Sequence, residues 1–434
     1  MSTEAYGATT GERILPGSVL SRVKAVAGAG IGNVLEWYDF TVYAYLAGIL
    51  STKFFVTGNE STALLATFAV FGVGFVARPL GGLLIGLFGD KYGRKPALLL
   101  TFMMIAGSTG LMGILPTYAS IGMAAPILLV VARLVQGISA GGEWGGAASF
   151  LVEWAPPHRR GLYGSLHPLA ITTGMLLGSG VTGGLTSLLG SATMADWGWR
   201  IPFLFGALIG PLGLYVRSKV DETPVFRRAK NAPTVVSDFS MTRTMLLAFA
   251  FPAVQSVVTY VFVSYFTTFT QKYAGLSAST ALWSTALGTL VQGLACVASG
   301  WLSDKTGRKF NMLASCTMLI LFSYPLLAFA LSSGASPMRV ILVQSAFTAL
   351  NGLFLGSMPA ALAEMFPTSR RLTGLTTAYN LQSMVFGGFA PFIASWLITQ
   401  TGEPMSLSYF IMFGAVVSVV ALLLMAETVR KELT

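Results

Sequence analysis

Gly32-Asn33-Val34-Leu35-Glu36-Trp37-Tyr38-Asp39-Phe40 sets two carboxylates and an amide inside an apolar run from about Ala25 to Leu50. That run is long enough to cross a bilayer, where an ionised group is costly and by default functional. Successive helical residues rotate by about 100°, which puts Asn33, Glu36 and Asp39 on one side of the helix. That side must face protein or a water-filled cavity, because lipid cannot solvate it. The alternative is an interfacial belt of Trp37, Tyr38 and Phe40, with the acids among the headgroups. Depth argues against it, since the stretch from Lys24 to Glu36 carries the acids roughly 18 Å into the membrane.

The rest of the chain has the same character. With 54% hydrophobic residues and 10% charged ones, and a mean hydropathy of +0.70, it reads as a polytopic membrane protein. Polar breaks separate about twelve candidate helices, beginning near residues 22, 60, 96, 121, 160, 198, 244, 278, 310, 337, 371 and 405. A net charge of +10 would suggest nucleic acid for a soluble protein. Here, however, the bases alternate by loop. Arg22, Lys24, Lys91 to Lys95, Arg159, Arg160, Arg217 to Lys230, Lys305 to Lys309, Arg370, Arg371, Arg430 and Lys431 fall on one side, against Lys53, Arg200, Lys272 and Arg339 on the other. The positive-inside rule makes the first side cytoplasmic, places both termini there and excludes nucleic acid as a partner. The polar tail before Ser21 does not read as a cleaved signal peptide. Cys296 and Cys316 read as buried small hydrophobes and not as a disulfide or metal site.

The chain also repeats itself. Gly89-Asp90-Lys91-Tyr92-Gly93-Arg94-Lys95 after the second helix is echoed by Ser303-Asp304-Lys305-Thr306-Gly307-Arg308-Lys309 after the eighth. Glu153-Trp154-Ala155-Pro156-Pro157-His158-Arg159-Arg160 is echoed by Glu364-Met365-Phe366-Pro367-Thr368-Ser369-Arg370-Arg371. Two motifs recurring at nearly one offset predict six helices plus six. The divisions expected are a tail at 1–21, a bundle at 22–218, a cytoplasmic linker at 219–243, a second bundle at 244–428 and a tail at 429–434. Parallel repeats of this kind make the all-α major facilitator arrangement.

The two D-K-x-G-R-K loops resemble the signature loop of the major facilitator superfamily. The Gly32–Phe40 stretch, Arg78-Pro79-Leu80-Gly81-Gly82, Arg133-Leu134-Val135-Gln136-Gly137, Gly141-Gly142-Glu143, Trp197-Gly198-Trp199-Arg200-Ile201-Pro202-Phe203 and Asp221-Glu222-Thr223-Pro224 resemble its metabolite:proton symporter family. That family includes carriers of citrate, 2-oxoglutarate, other dicarboxylates, shikimate, and proline or glycine betaine. The resemblance implies a bacterial inner-membrane transporter with protons as coupling ion and no cofactor.

Several residues can be assigned chemistry. Counting along the helices brings Arg133 to the depth of Asp39, so a cross-helix ion pair is expected. A guanidinium lowers the proton affinity of a neighbouring carboxylate, and an arriving anion that competes for it raises that affinity again. Proton and anion uptake would then be coupled; the alternative is a permanent structural pair. Glu143 passes the proton onward or pairs with a base. Arg78, also near mid-membrane, is either an anion site or the partner of Glu36. His167 is a substrate-contact candidate, although a lone histidine is more often a packing residue. The second half offers uncharged polar groups: Gln255, Tyr260, Tyr265, Gln292, Gln344, Asn351, Asn380 and Gln382. The candidate substrate contacts are Asn33, Arg78, Arg133, His167, Tyr260, Tyr265, Gln255, Asn351 and Asn380, and the coupling candidates are Asp39, Glu36, Arg133 and Glu143. Asp90, Arg94, Glu153, Arg160, Asp304, Arg308, Glu364 and Arg371 either set topology alone or also form a cytoplasmic ion-pair latch, as the resemblance implies.

No Walker loop, zinc spacing or nucleophile elbow appears, which points away from an enzyme or an ATP-driven pump. The expectation is a monomeric secondary transporter in the lipid bilayer that imports a small organic acid, such as citrate or a dicarboxylate, with protons. A proton-coupled carrier of betaine or proline is the alternative. A drug:proton antiporter fits less well, because Gly174-Met175-Leu176-Leu177-Gly178-Ser179-Gly180 lacks the proline of those exporters' helix-five signature.

Overall fold

A computed structural model describes residues 19–55, 58–92, 94–218, 240–332, 336–367, 371–429 and 433. The spanning helices are α1 (Val19–Tyr45), α2 (Glu60–Tyr92), α3 (Arg94–Ile114), α4 (Ala124–Trp154), α5 (Arg160–Thr193) and α6 (Arg200–Ser218). The second half holds α7 (Met241–Tyr273), α8 (Ala278–Thr306), α9 (Arg308–Leu331), α10 (Pro337–Met365), α11 (Arg371–Thr401) and α12 (Ser406–Leu424). Among the described residues nine of these are long and apolar enough to cross a membrane, two shorter apolar helices lie at Leu99–Ile114 and Arg200–Tyr215, and α1 completes twelve. The linker from 219 to 239, and Arg370, Arg430 and Lys431, lie outside the described residues.

Local chemistry sets many helix ends. Ser277 and Ser336 cap α8 and α10 by accepting the N–H of Thr280 and Arg339, and Pro337 occupies the first turn where no N–H is needed. Gly307 links α8 to α9 at φ 100°, a conformation that a Cβ would strain, and that Cβ would also meet the Glu427 carboxylate at 2.7 Å. Gly93, its counterpart in the first half, is outside the described residues.

The molecule is apolar on the outside: Leu83, Leu87, Leu208, Leu294, Leu321 and Leu423 are all exposed, a surface that lipid covers. Inside, glycines let backbones meet. A Cβ at Gly141 would strike the carbonyl of Arg78, and one at Gly356 the carbonyl of Cys296, so α4 packs on α2, and α10 on α8, at backbone contact. The halves join along α5 against α8 and α2 against α11. Besides a π turn at Met194–Gly198 that follows α5, α7 and α11 depart from α geometry within the helix, with π turns at Val261–Tyr265 and Ser383–Gly388. Such turns commonly mark functional positions, and those in α7 and α11 flank the centre where the halves meet. Gly387 and Gly388 lie in the α11 turn and also leave room for the rings of Tyr260 and Phe75.

Candidate functional site

Helix α1 carries Glu36 and Asp39 on one face, and each meets an arginine from a neighbouring helix. Glu36 Oε1 lies 2.8 Å from Arg78 Nη2, with both side chains fully buried. Asp39 Oδ2 lies 3.6 Å from Arg133 Nη1, an ionic approach longer than a hydrogen bond. Arg133 instead donates to Gln136 Oε1 at 2.8 Å, and Gln136 donates to Thr109 Oγ1 at 3.2 Å. Its guanidinium carbon sits 3.6 Å from the centre of the Tyr43 ring, while that of Arg78 lies over Phe75 at 4.4 Å. Among the described residues Arg78 Nε and Nη1 and Arg133 Nε and Nη2 have no hydrogen-bond partner. Buried donors left in that state are costly, and a carboxylate supplies the acceptor that satisfies two at once.

The second half closes over these pairs with aromatic rings. Tyr260 of α7 stacks on Trp37 at 5.7 Å and meets Phe75 edge-on at 4.9 Å, and its hydroxyl has no hydrogen-bond partner among the described residues. Tyr379 of α11 stacks on Trp144 at 3.6 Å, and Trp144 packs edge-on against His167, neither of whose ring nitrogens has a partner among the described residues. Asn380 donates to the Gly141 carbonyl at 2.6 Å and ties the halves directly. Gln255 and Asn351 both donate to Thr259 Oγ1, at 3.1 and 2.8 Å, a network within the second half. Tyr265 packs on Phe269, and Glu143 accepts from Thr101 Oγ1 of α3 at 3.1 Å. Asn33 is buried on the same α1 face as Glu36 and Asp39.

The face that carries the basic loops is closed by ion pairs across the halves. Arg371 Nη1 reaches Glu153 Oε1 at 3.1 Å, and Arg160 Nη1 lies 4.0 Å from Glu364 Oε1. Arg308 grips Glu364 with two hydrogen bonds, at 3.0 and 3.2 Å, and holds Asp304 at 2.8 Å. Asp304 in turn accepts the N–H groups of Gly161 and Leu162 at 2.8 and 2.9 Å, so a second-half carboxylate sits on the positive end of a first-half helix. The side chains of Asp90 and Arg94 are outside the described residues. After α12 the chain turns back. Glu427 accepts the N–H groups of Arg308 and Lys309 at the start of α9, and Thr428 donates to Glu364 at 2.8 Å. Burial pushes the Glu427 carboxyl up, but four backbone N–H groups outweigh it and hold the pKa below the ordinary carboxylate value.

The opposite face holds a cavity between the halves. A cavity of about 490 Å³ separates Ala44–Gly48 of the first half from Ser264–Lys272 of the second. Two partners of the arginines carry a local sequence signal: Gln136 falls three residues after Arg133, and Tyr43 four after Asp39, spacings that meet on a helix. Trp144 with Tyr379, and Glu427 with Arg308, carry no local signal, because each joins distant segments.

Comparison with known proteins completes the description. A family model described as Sugar (and other) transporter matches twice, over residues 25–233 and 227–434, one match per half. The chain is 37% identical over 426 residues to the inner membrane metabolite transport protein YhjE of Escherichia coli (strain K12), covering 95% of this chain and 96% of that one. It is 33% identical to the Ectoine/proline transporter ProP of Corynebacterium glutamicum, covering 94% and 85%. It is also 33% identical to the Citrate-proton symporter of Klebsiella pneumoniae, covering 92% and 91%. The solved structure of the proton:xylose symporter XylE, bound to 6-bromo-6-deoxy-D-glucose, has the same fold, with a TM-score of 0.79 at 19% identity over 95% of this chain and 98% of that one. The chain is therefore a multi-pass protein of the bacterial inner membrane and a transporter, not an enzyme. Two family-model matches, full-length relatives and the paired six-helix halves together place it in the major facilitator superfamily, as a member of the metabolite:proton symporter family.

Proposed function

We propose that the chain is a proton-coupled symporter that imports a small organic acid, such as citrate or a dicarboxylate, by alternating access. The observation that carries this reading is Arg133, a buried cation with two donors uncommitted among the described residues and a carboxylate 3.6 Å away. An incoming carboxylate takes those donors, weakens the hold of Arg133 on Asp39, and lets Asp39 accept a proton. Substrate and proton then leave together when the basic-loop face, cytoplasmic in this reading, unlatches. One charge moving through the field supplies about 2.3 kcal/mol per 100 mV, which drives accumulation without a nucleotide. The Klebsiella relative named as a citrate-proton symporter supports this reading.

A second reading, a zwitterionic osmolyte such as betaine or proline, is favoured by the rings around the centre. Trp37, Phe75 and Tyr260 form a cluster suited to a quaternary ammonium, and the Corynebacterium relative is named for ectoine and proline. Uptake into liposomes under an inward proton gradient separates the two, with labelled citrate, 2-oxoglutarate and glycine betaine. Acid uptake lost in Asp39→Asn and in Arg133→Gln is the expected result. Betaine uptake alone moves the assignment to the osmolyte class, and acid uptake untouched by Asp39→Asn removes Asp39 as the proton site.

A further inference from the structure

The two arginines are not independent. Phe40, one residue beyond Asp39, has the guanidinium carbon of Arg78 at 4.8 Å from its ring centre and that of Arg133 at 5.3 Å. The two cations are thus at most about 10 Å apart, both over one ring and both sealed from solvent. Like charges that close repel in a poorly solvated interior, and the structure balances them with two carboxylates on a single helix face, Glu36 for Arg78 and Asp39 for Arg133. Each arginine keeps two donor nitrogens without a partner among the described residues. The centre therefore holds two copies of one device, side by side.

Resting on the organic-acid reading above, we infer that both pairs exchange a proton for a substrate carboxylate, so that one dicarboxylate engages Arg78 and Arg133 together and enters with two protons. The charges balance. Before binding, two guanidinium cations face two carboxylate anions. Afterwards the same cations face the two carboxylates of the substrate, and Glu36 and Asp39 each carry a proton as neutral acids. Nothing in the centre gains net charge at any stage, which is what a low-dielectric site requires. The short gap between the cations suits two carboxylates on a short carbon chain. Among the described residues, phenols also face the pairs: Tyr38 and Tyr43 beside Asp39 and Arg133, and Tyr260 and Tyr379 within electrostatic range of Glu36 and Arg78. Tyr260 and Tyr379 come from the second half, so the Glu36 pair also senses whether the halves are together.

The test counts protons. Purified full-length protein in weakly buffered detergent solution with a pH indicator is mixed with succinate or 2-oxoglutarate near neutral pH, and the same dicarboxylates are then followed into liposomes. The wild type should take up about two protons per dicarboxylate bound and show accumulation rising about 100-fold per unit of imposed pH gradient, since each coupled proton contributes about tenfold. Glu36→Gln should bind with about one proton, accumulate about 10-fold per unit, and make uptake sensitive to membrane potential. A wild-type count of one proton, a measurement that needs no variant, overturns the two-site inference and leaves the organic-acid reading intact. Glu36→Gln with the full wild-type count does the same. Citrate uptake without dicarboxylate binding again overturns only the inference, whereas uptake of neither citrate nor dicarboxylates overturns both.

Discussion

Replacing Glu153 by Gln should unlatch the basic-loop face while leaving each half folded. The Arg371–Glu153 contact of 3.1 Å joins the halves, and both side chains are buried at 1% exposure or less. At an effective dielectric of about 20 two charges at that separation attract by about 5 kcal/mol, most of which is offset by the water they lose on closing. The net worth of a hydrogen bond between charged groups, about 1.5–3 kcal/mol, is the better guide. Glutamine keeps the shape and one acceptor, so the loss falls on the latched state alone and shifts the equilibrium toward the unlatched state about 10- to 100-fold. Thiol labelling reads this directly. Cys296 and Cys316 are buried, and Thr376, packed against Gly145 across the halves with its hydroxyl unpartnered among the described residues, is a suitable reporter as Thr376→Cys. Its labelling rate should rise about 10- to 100-fold in the Glu153→Gln background. Arg371→Gln should act alike, and the double variant should add little, since the two residues share one contact. A labelling rate unchanged by Glu153→Gln would refute the latch, because the pair would then contribute equally to both conformations.

Three further outcomes follow from the same geometry. Arg133→Lys keeps a cation but loses the stacked plane on Tyr43 and the fork that takes a carboxylate in two bonds; substrate affinity, measured by binding to purified protein, should fall by about tenfold or more while folding is retained. Gly356→Leu drives a side chain into the Cys296 carbonyl and should lower stability by about 1–3 kcal/mol or more, seen as an earlier thermal transition in detergent. Glu427→Gln should raise amide exchange at Arg308 and Lys309 by about tenfold at neutral pH. Because the folded Glu427 pKa is depressed, its contribution is complete above the ordinary carboxylate range and is lost only as pH falls through that lowered value. Wild-type protection at these two amides should therefore outlast the ordinary carboxylate titration and be lost only as pH falls below it.

In the proposed function one small helical face couples two gradients. Glu36 and Asp39 lie on α1, while their cations come from α2 and α4, held against each other by Gly81, Gly137 and Gly141 at backbone contact. Rigid packing within the half keeps each carboxylate near its arginine. The stacking of Tyr260 and Tyr379 on first-half tryptophans crosses the divide, and those contacts change when the halves move. In the proposed cycle the chemistry stays in one half and the gating is shared between both.

Much of this was legible in the chain itself. Twelve spans and two repeated halves follow from run lengths and recurring loop motifs, because spanning a bilayer is a local demand that each segment meets alone. The depth of Asp39 and Arg133 could likewise be counted from helix rise. What depth cannot supply is rotation: a helix apolar on most sides presents no periodic face that says which neighbour it meets. Only the tertiary structure decided that Phe40 lies within reach of two arginines, that Asn351 and Gln255 turn to Thr259 and not to those arginines, and that Glu427 returns from beyond α12 to the start of α9. Those are contacts between segments far apart in sequence, set by how glycine-lined helices pack against one another rather than by any single helix's own pattern.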